Sequence, residues 1–124
     1  MKDGKHVILC IDDDPDYLES IRMILESNGY AVAQARSAEE GLRVFRASKP
    51  DLIVIDLMME EVDSGMNLVK ELQLAGNRAP LYMLSSAGDQ LFLNRSYAEL
   101  GLDGLFQKPI QPQVLLSTLK QRLG

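Results

Sequence analysis

The sequence predicts an α/β fold of the flavodoxin-like (βα)5 type, a doubly wound sandwich with a five-stranded parallel sheet in the order 2-1-3-4-5. Short apolar runs rich in β-branched residues alternate along the chain with stretches whose apolar residues recur at helical spacing. Two of these runs, Val7–Ile11 and Leu52–Ile55, are apolar throughout, which is typical of parallel strands buried on both faces. Right-handed crossovers then leave few topologies for five strands.

The first β-α unit begins with Val7–Ile11 as strand 1. Asp14 is placed to cap a helix whose first residue is Pro15, because proline lacks the N–H that this position would leave unpaired. Asn28-Gly29 predicts the end of that helix. Its buried face is predicted by Leu18, Ile21 and Leu25, which recur at helical spacing.

The second unit has Tyr30–Ala35 as a short strand 2. A capping-box pattern at Ser37–Glu40 predicts the start of the second helix, and Leu42 and Phe45 mark its buried face. The run Leu52–Ile55 then forms strand 3.

The second half of the chain continues the same alternation. Its predicted elements are a helix marked by Met66, Val69 and Leu72, strand 4 at Leu81–Leu84, a more polar helix at Asp89–Leu100, strand 5 at Leu105–Phe106, and a last helix that begins at Pro112. No linker or low-complexity tract interrupts this rhythm, so we expect a single domain over residues 1–124.

The composition excludes several classes of protein. The net charge is −5 and no basic run is present, so we expect no direct nucleic-acid binding. No signal-peptide pattern or membrane-length apolar run occurs, which predicts a cytoplasmic protein that does not bind a membrane. The single cysteine, Cys10, excludes an internal disulfide and is predicted to be a small core residue.

Five residues with chemical potential follow the predicted strands. Asp12 and Asp13 follow strand 1, Asp56 follows strand 3, Ser85 follows strand 4 and Lys108 comes shortly after strand 5. The carboxyl ends of neighbouring parallel strands share one edge, where ligands bind in open α/β sheets. We therefore expect these side chains to converge.

Three adjacent carboxylates repel one another unless a cation lies among them. Oxygen ligands without histidine or cysteine suit Mg²⁺ or Mn²⁺. A carboxylate in such a site can act as a nucleophile toward a phosphoryl group, while Lys108 and Ser85 hold its oxygens. Each residue alone has a simpler explanation, as a helix cap or a solvated side chain. Their joint occurrence at the ends of four strands favours a phosphoryl-transfer site.

The motifs CIDDDP, VIDLMM, MLSSA and FQKP resemble those of the receiver domain of two-component response regulators, a family that includes chemotaxis regulators. The resemblance covers essentially the full length, and the four motifs are specific only in combination. It implies that Asp56 accepts a phosphoryl group from a histidine kinase or a histidine phosphotransfer protein. It also implies that Ser85 moves to the phosphoryl group, that Lys108 pairs with it, and that the Lys108–Pro109 bond is cis.

The resemblance further implies a Mg²⁺ ion as cofactor, with Mn²⁺ as an alternative. Its ligands would be three carboxylates and one backbone carbonyl: those of Asp12, Asp13 and Asp56 and the carbonyl of Met58. Asp12 would act largely through water.

Three departures from the family pattern stand out. The loop at residues 59–65 has Glu60 where the family usually has proline, and its glycine comes one residue late. Leu105 stands where an aromatic residue is common, so no aromatic rotamer switch is available at that position. Met58 and Ala87, two residues after Asp56 and Ser85, cannot position an attacking water, which predicts slow intrinsic dephosphorylation.

The sequence favours a phosphorylation-controlled switch that is not an enzyme in the ordinary sense and that signals to a downstream effector or output domain, with residues 88–110 as the moving part. The alternative is a receiver-like interaction module that does not cycle through phosphorylation. A flavin or nucleotide binder is disfavoured, since the acidic turn after strand 1 would repel a phosphate. A metal-dependent phosphatase would be expected to place an acid at Met58.

Overall fold

The computed structural model describes residues 2–56, 64–85 and 101–124, without the side chains of residues 64–66. Within these ranges five parallel strands form one sheet in the order β2-β1-β3-β4-β5, which confirms the predicted fold class. The strands are β1 (Val7–Ile11), β2 (Ala31–Ala35), β3 (Leu52–Asp56), β4 (Leu81–Ser85) and β5 (Gly104–Gln107).

Strand β2 begins one residue later than predicted, for a local reason. The Tyr30 N–H donates to the Leu25 carbonyl at 3.1 Å, so it completes the end of the preceding helix instead of entering the sheet. Ala31 is the first residue to pair with β1, opposite Val7.

Four helices lie in the described ranges: α1 (Pro15–Glu26), α2 (Ala38–Ser48), α3 (Ser64–Leu74) and α4 (Pro112–Leu123). Two predicted caps are confirmed. The Asp14 carboxylate accepts hydrogen bonds from the N–H groups of Asp16 and Tyr17, and the Ser37 hydroxyl accepts one from the Glu40 N–H. The predicted helix at Asp89–Leu100 lies outside the described residues.

The core forms two layers, because successive residues of a strand point to opposite faces of the sheet. One layer packs β-strand residues such as Leu9 and Ile53 against apolar residues of α3. The other packs Ile8 and Cys10 against the inner faces of α1 and α4. Cys10 is buried as predicted, and burial raises the pKa of its thiol to about 12.

Leu105 and Phe106 are adjacent in β5, so their side chains point to opposite faces of the sheet. Phe106 is buried and stacks on Tyr82, with ring centroids 5.1 Å apart, whereas Leu105 is 38% exposed on the other face. Phe106 therefore does not take the place of an aromatic residue at position 105.

In the part of the chain that the structure describes, no helix has both the length and the apolar character needed to cross a bilayer.

Candidate functional site

The carboxyl ends of β1 and β3 bring three carboxylates together. Asp56 is the last residue of β3 and is 5% exposed, while Asp12 directly follows β1 and is 1% exposed. Asp13 is exposed. One carboxylate oxygen from each lies within 4.8 Å of the others, so the convergence predicted for these residues is observed.

Lys108 reaches this cluster from the loop after β5. Its ammonium Nζ is 3.0 Å from Asp12 Oδ2 and 3.4 Å from Asp56 Oδ1. Its backbone N–H donates to the Ser85 carbonyl at 2.8 Å, which fixes the start of the loop beside the end of β4. The Lys108–Pro109 peptide bond is cis, as the resemblance implies.

Asp12 also organises the turn between β1 and α1. Its Oδ1 accepts a hydrogen bond from the Asp14 N–H at 3.0 Å, while its Oδ2 pairs with Lys108. Asp14 in turn caps α1. One buried carboxylate therefore holds both the site lysine and the start of the neighbouring helix.

Ser85 is the last residue of β4 and is 4% exposed. It pairs with Gln107 of β5, next to Lys108. The sheet therefore places Ser85 at the same edge as the carboxylates. Met58, the remaining residue in the predicted ligand set, lies outside the described residues.

The electrostatics of the site are dominated by negative charge. Burial alone lowers the pKa of Lys108, but its ion pairs with Asp12 and then Asp56 outweigh burial, so the pKa lies above that of an ordinary lysine. The lysine is therefore a fixed cation. One ammonium does not balance three carboxylates. Among the described residues the cluster offers carboxylate oxygens and no histidine or cysteine, a donor set that fits a hard divalent cation.

Comparison with known families agrees with this geometry. The sequence model described as the response regulator receiver domain matches residues 8–120, from the second residue of β1 to the last helix. The chain belongs to the response regulator receiver family. Receiver domains are signalling modules of two-component systems and not enzymes in the classical sense.

Curated relatives of this receiver domain are longer proteins. It is 34% identical over 113 residues to the alkaline phosphatase synthesis transcriptional regulatory protein PhoP of Bacillus subtilis, covering 91% of this chain and 46% of PhoP. It is 32% identical over 116 residues to the response regulator MprA of Mycolicibacterium vanbaalenii, covering 94% of this chain and 49% of MprA. The receiver domain thus spans about half of the length of these two relatives.

Solved structures show the same fold. A two-component response regulator from Clostridium difficile superposes with a TM-score of 0.85 at 27% identity, covering 96% of both chains. The chemotaxis response regulator CheY4 of Vibrio cholerae superposes with a TM-score of 0.84 at 26% identity, covering 97% of this receiver domain and 100% of CheY4.

One residue of the receiver site was not anticipated from the sequence. The Lys108 ammonium lies over the Tyr17 ring, 4.7 Å from its centroid. Tyr17 is in the first turn of α1 and is not itself a strand-end residue. The only sequence signal for it is its place four residues after Asp13, directly before the first buried residue of the helix, Leu18.

Proposed function

We propose that this receiver domain accepts a phosphoryl group on Asp56 and signals through the change of conformation that follows. The observation that carries the proposal is the position of the Lys108 ammonium, 3.4 Å from Asp56 Oδ1 and 3.0 Å from Asp12 Oδ2. A cation fixed beside a buried carboxylate at a strand end is placed to neutralise charge on an incoming phosphoryl group.

The donor would be a phosphohistidine on a histidine kinase or a histidine phosphotransfer protein. An Asp56 oxygen attacks the phosphorus, an O–P bond forms and the P–N bond breaks. The electron pair returns to the imidazole nitrogen, which remains on the donor as neutral histidine once proton balance with solvent is restored. Lys108 then binds a phosphoryl oxygen by charge, and the Ser85 hydroxyl donates to another.

The carboxylates of Asp12, Asp13 and Asp56 and the backbone carbonyl of Met58 would hold Mg²⁺, or Mn²⁺ in its place. The bound ion would supply positive charge that offsets the carboxylates and the phosphoryl oxygens. Asp12 would act mainly through water, since both of its oxygens already have protein partners.

Phosphorylation of Asp56 would act as a switch whose changed conformation is read by an output domain or a separate effector. Movement of Ser85 and Lys108 toward the phosphoryl group would change residues 88–110, of which the structure describes 101–110. PhoP of Bacillus subtilis is a transcriptional regulatory protein, which supports an output domain or a separate effector as the reader. A single domain over residues 1–124 and a cytoplasmic location are further parts of this proposal.

The test is Mg²⁺-dependent labelling by acetyl phosphate, followed by mass spectrometry. We expect the wild type to gain one phosphoryl group and Asp56→Asn to gain none. Asp3→Asn is the matched control, because it makes the same change at an exposed residue of a turn. The φ angle of Asp3 is 54°, which asparagine tolerates. Equal labelling of the wild type and Asp56→Asn would contradict the acceptor assignment.

The second candidate is an interaction module that does not cycle. The exposed Leu105 favours it, because the side chain at that position offers apolar surface but no aromatic switch. A wild type that stays unlabelled under conditions that label a known receiver would support this candidate over the first.

A further inference from the structure

Tyr17 contacts the site lysine in addition to the two carboxylates that pair with it. The Lys108 ammonium lies 4.7 Å from the Tyr17 ring centroid and is at the same time paired with Asp12 and Asp56. Lysine side chains are flexible and tend to extend their ammonium groups into water. Here the Lys108 side chain is only 24% exposed, although it follows an edge strand of the sheet.

An aromatic face attracts a cation, and this attraction grows as water is excluded. The Tyr17 ring is half-buried and packs against the apolar layer between α1 and α4. The ring therefore gives the ammonium a contact with α1 that is partly shielded from water.

We propose that Tyr17 is a positioning residue for Lys108, whose ring holds the ammonium against Asp12 and Asp56 before phosphoryl transfer. This inference rests on the proposed function for its consequence, but the contact itself exists in the unphosphorylated protein. Tyr17 touches none of the reacting atoms and acts through Lys108.

The backbone supports the same assignment. Asp12 Oδ1 accepts from the Asp14 N–H, and Asp14 Oδ1 accepts from the Tyr17 N–H at 3.4 Å. The carboxylate that pairs with Lys108 therefore also helps to fix the helical turn that carries the ring. The ring and the ammonium are positioned from one anchor, Asp12.

The Tyr17 hydroxyl is not the part that carries this role. Burial raises the pKa of Tyr17, and the nearby Ile110 backbone and the Lys108 charge offset part of that increase. The hydroxyl oxygen is buried close to the Ile110 backbone, although it does not meet full hydrogen-bond geometry with any described residue. Tyr17→Phe should therefore keep the positioning effect, whereas Tyr17→Leu should keep apolar packing but lose the aromatic face.

A first measurement uses NMR of the metal-free, unphosphorylated protein with ¹³C-labelled lysine, with the Lys108 signals assigned by Lys108→Arg. A ring above the ammonium shifts the Lys108 ε-methylene protons upfield. We expect this shift in the wild type and in Tyr17→Phe, and its loss in Tyr17→Leu. An unchanged shift in Tyr17→Leu would overturn the inference.

A second measurement is the rate of labelling by acetyl phosphate at saturating Mg²⁺. We expect Tyr17→Leu to be labelled about fivefold more slowly than the wild type, because the free energy of a partly desolvated cation–π contact corresponds to a rate ratio of about this size. Tyr17→Phe should stay within about twofold of the wild-type rate. The Mg²⁺ concentration for half-maximal labelling should not change. A wild-type rate in Tyr17→Leu, or an equal loss in Tyr17→Phe, would overturn the inference.

Tyr30→Leu is the control for loss of a tyrosine from the same apolar layer. Tyr30 packs in that layer but directly precedes β2, at the opposite end of the sheet from the carboxylates. The labelling rate of Tyr30→Leu should therefore match that of the wild type. If Tyr17→Leu does not fold, Tyr17→Met replaces it. A wild type that is not labelled on Asp56 would defeat the proposed function, while the NMR measurement would still decide whether Tyr17 positions Lys108.

Discussion

Asp12 uses its two carboxylate oxygens for different partners. Oδ1 accepts from the Asp14 N–H at 3.0 Å, and Oδ2 pairs with Lys108 at 3.0 Å. Each carboxylate oxygen has two lone pairs, so both retain capacity to accept from a water on a hydrated cation. The role through water that the resemblance implies therefore fits the geometry, although it stays a prediction.

Met58 is a second single residue with a testable role, because it is predicted to set the lifetime of the phosphorylated form. It stands two residues after Asp56, lies outside the described residues, and has no group that can orient an attacking water. We expect Met58→Asn to accelerate loss of the phosphoryl group several-fold, because an amide can hold that water. The measurement is the decay of the phosphorylated protein after removal of the donor.

Met59→Asn is the neighbouring control for this experiment, since it introduces the same amide one residue further along the chain. Decay of the Met58→Asn form at the wild-type rate would show that side-chain chemistry at this position does not limit dephosphorylation.

Strand β5 is held by a polar network that joins the residue before it, Asp103, to β4 and α4. Asp103 accepts from the Leu81 N–H at 2.8 Å and pairs with Arg122 of α4 at 3.5 Å. Arg122 Nε donates to the Tyr82 hydroxyl at 2.7 Å. The network fixes the Tyr82 ring, which stacks on Phe106 two residues before Lys108. The position of β5, and with it the approach of Lys108 to the site, depends on this ring.

Gly104→Ala should destabilise β5 for this reason. A Cβ at Gly104 would lie 2.6 Å from Tyr82 Cε2, and a shift of the ring would disturb both its hydrogen bond with Arg122 and its stacking on Phe106. We expect a loss of about 1–3 kcal/mol in the free energy of unfolding, measured by urea denaturation.

Gly41→Ala is the contrasting substitution. Its Cβ would meet the flexible end of Ile11 at 2.9 Å, and alanine improves helix propensity in α2 by about 1 kcal/mol, which offsets the contact. A loss at position 104 no larger than that at position 41 would mean that the Tyr82 ring is free to shift.

For the molecule as a whole, the sheet concentrates negative charge at one edge. Strands β1 and β3 are direct neighbours, so Asp56 is repelled by Asp12 and Asp13 in the folded state, whereas it is far from that adjacent pair in an unfolded chain. A cation that binds the folded site only should therefore raise the stability of the entire domain.

Mg²⁺ at about ten times its apparent Kd should stabilise the protein by about 1.4 kcal/mol, a rise in Tm of about 5 °C. Chelation with EDTA should reverse the rise. Asp13→Asn removes an exposed carboxylate of the cluster and should reduce the response, whereas the exposed Asp16→Asn should not. An equal rise in the wild type and Asp13→Asn would place the stabilising ion elsewhere.

The order of the strands and the edge at which the site lies follow from the sequence alone. Apolar runs such as Val7–Ile11 and Leu52–Ile55 can be satisfied only by burial on both faces, and right-handed connections then limit the topology. Because the carboxyl ends of parallel strands share an edge, the convergence of Asp12, Asp13 and Asp56 follows from their positions after the strands.

How the side chains of that edge are supported depends on tertiary contacts that no local sequence pattern predicts. Tyr17 and Lys108 belong to the first and last β-α units, and no local pattern connects them. Their contact depends on how α1 and the loop after β5 pack around Asp12, which is a matter of rotamers and close approach between distant segments. The same holds for the different environments of Asp12, which is buried, and Asp13, which is exposed, although they are adjacent in the sequence.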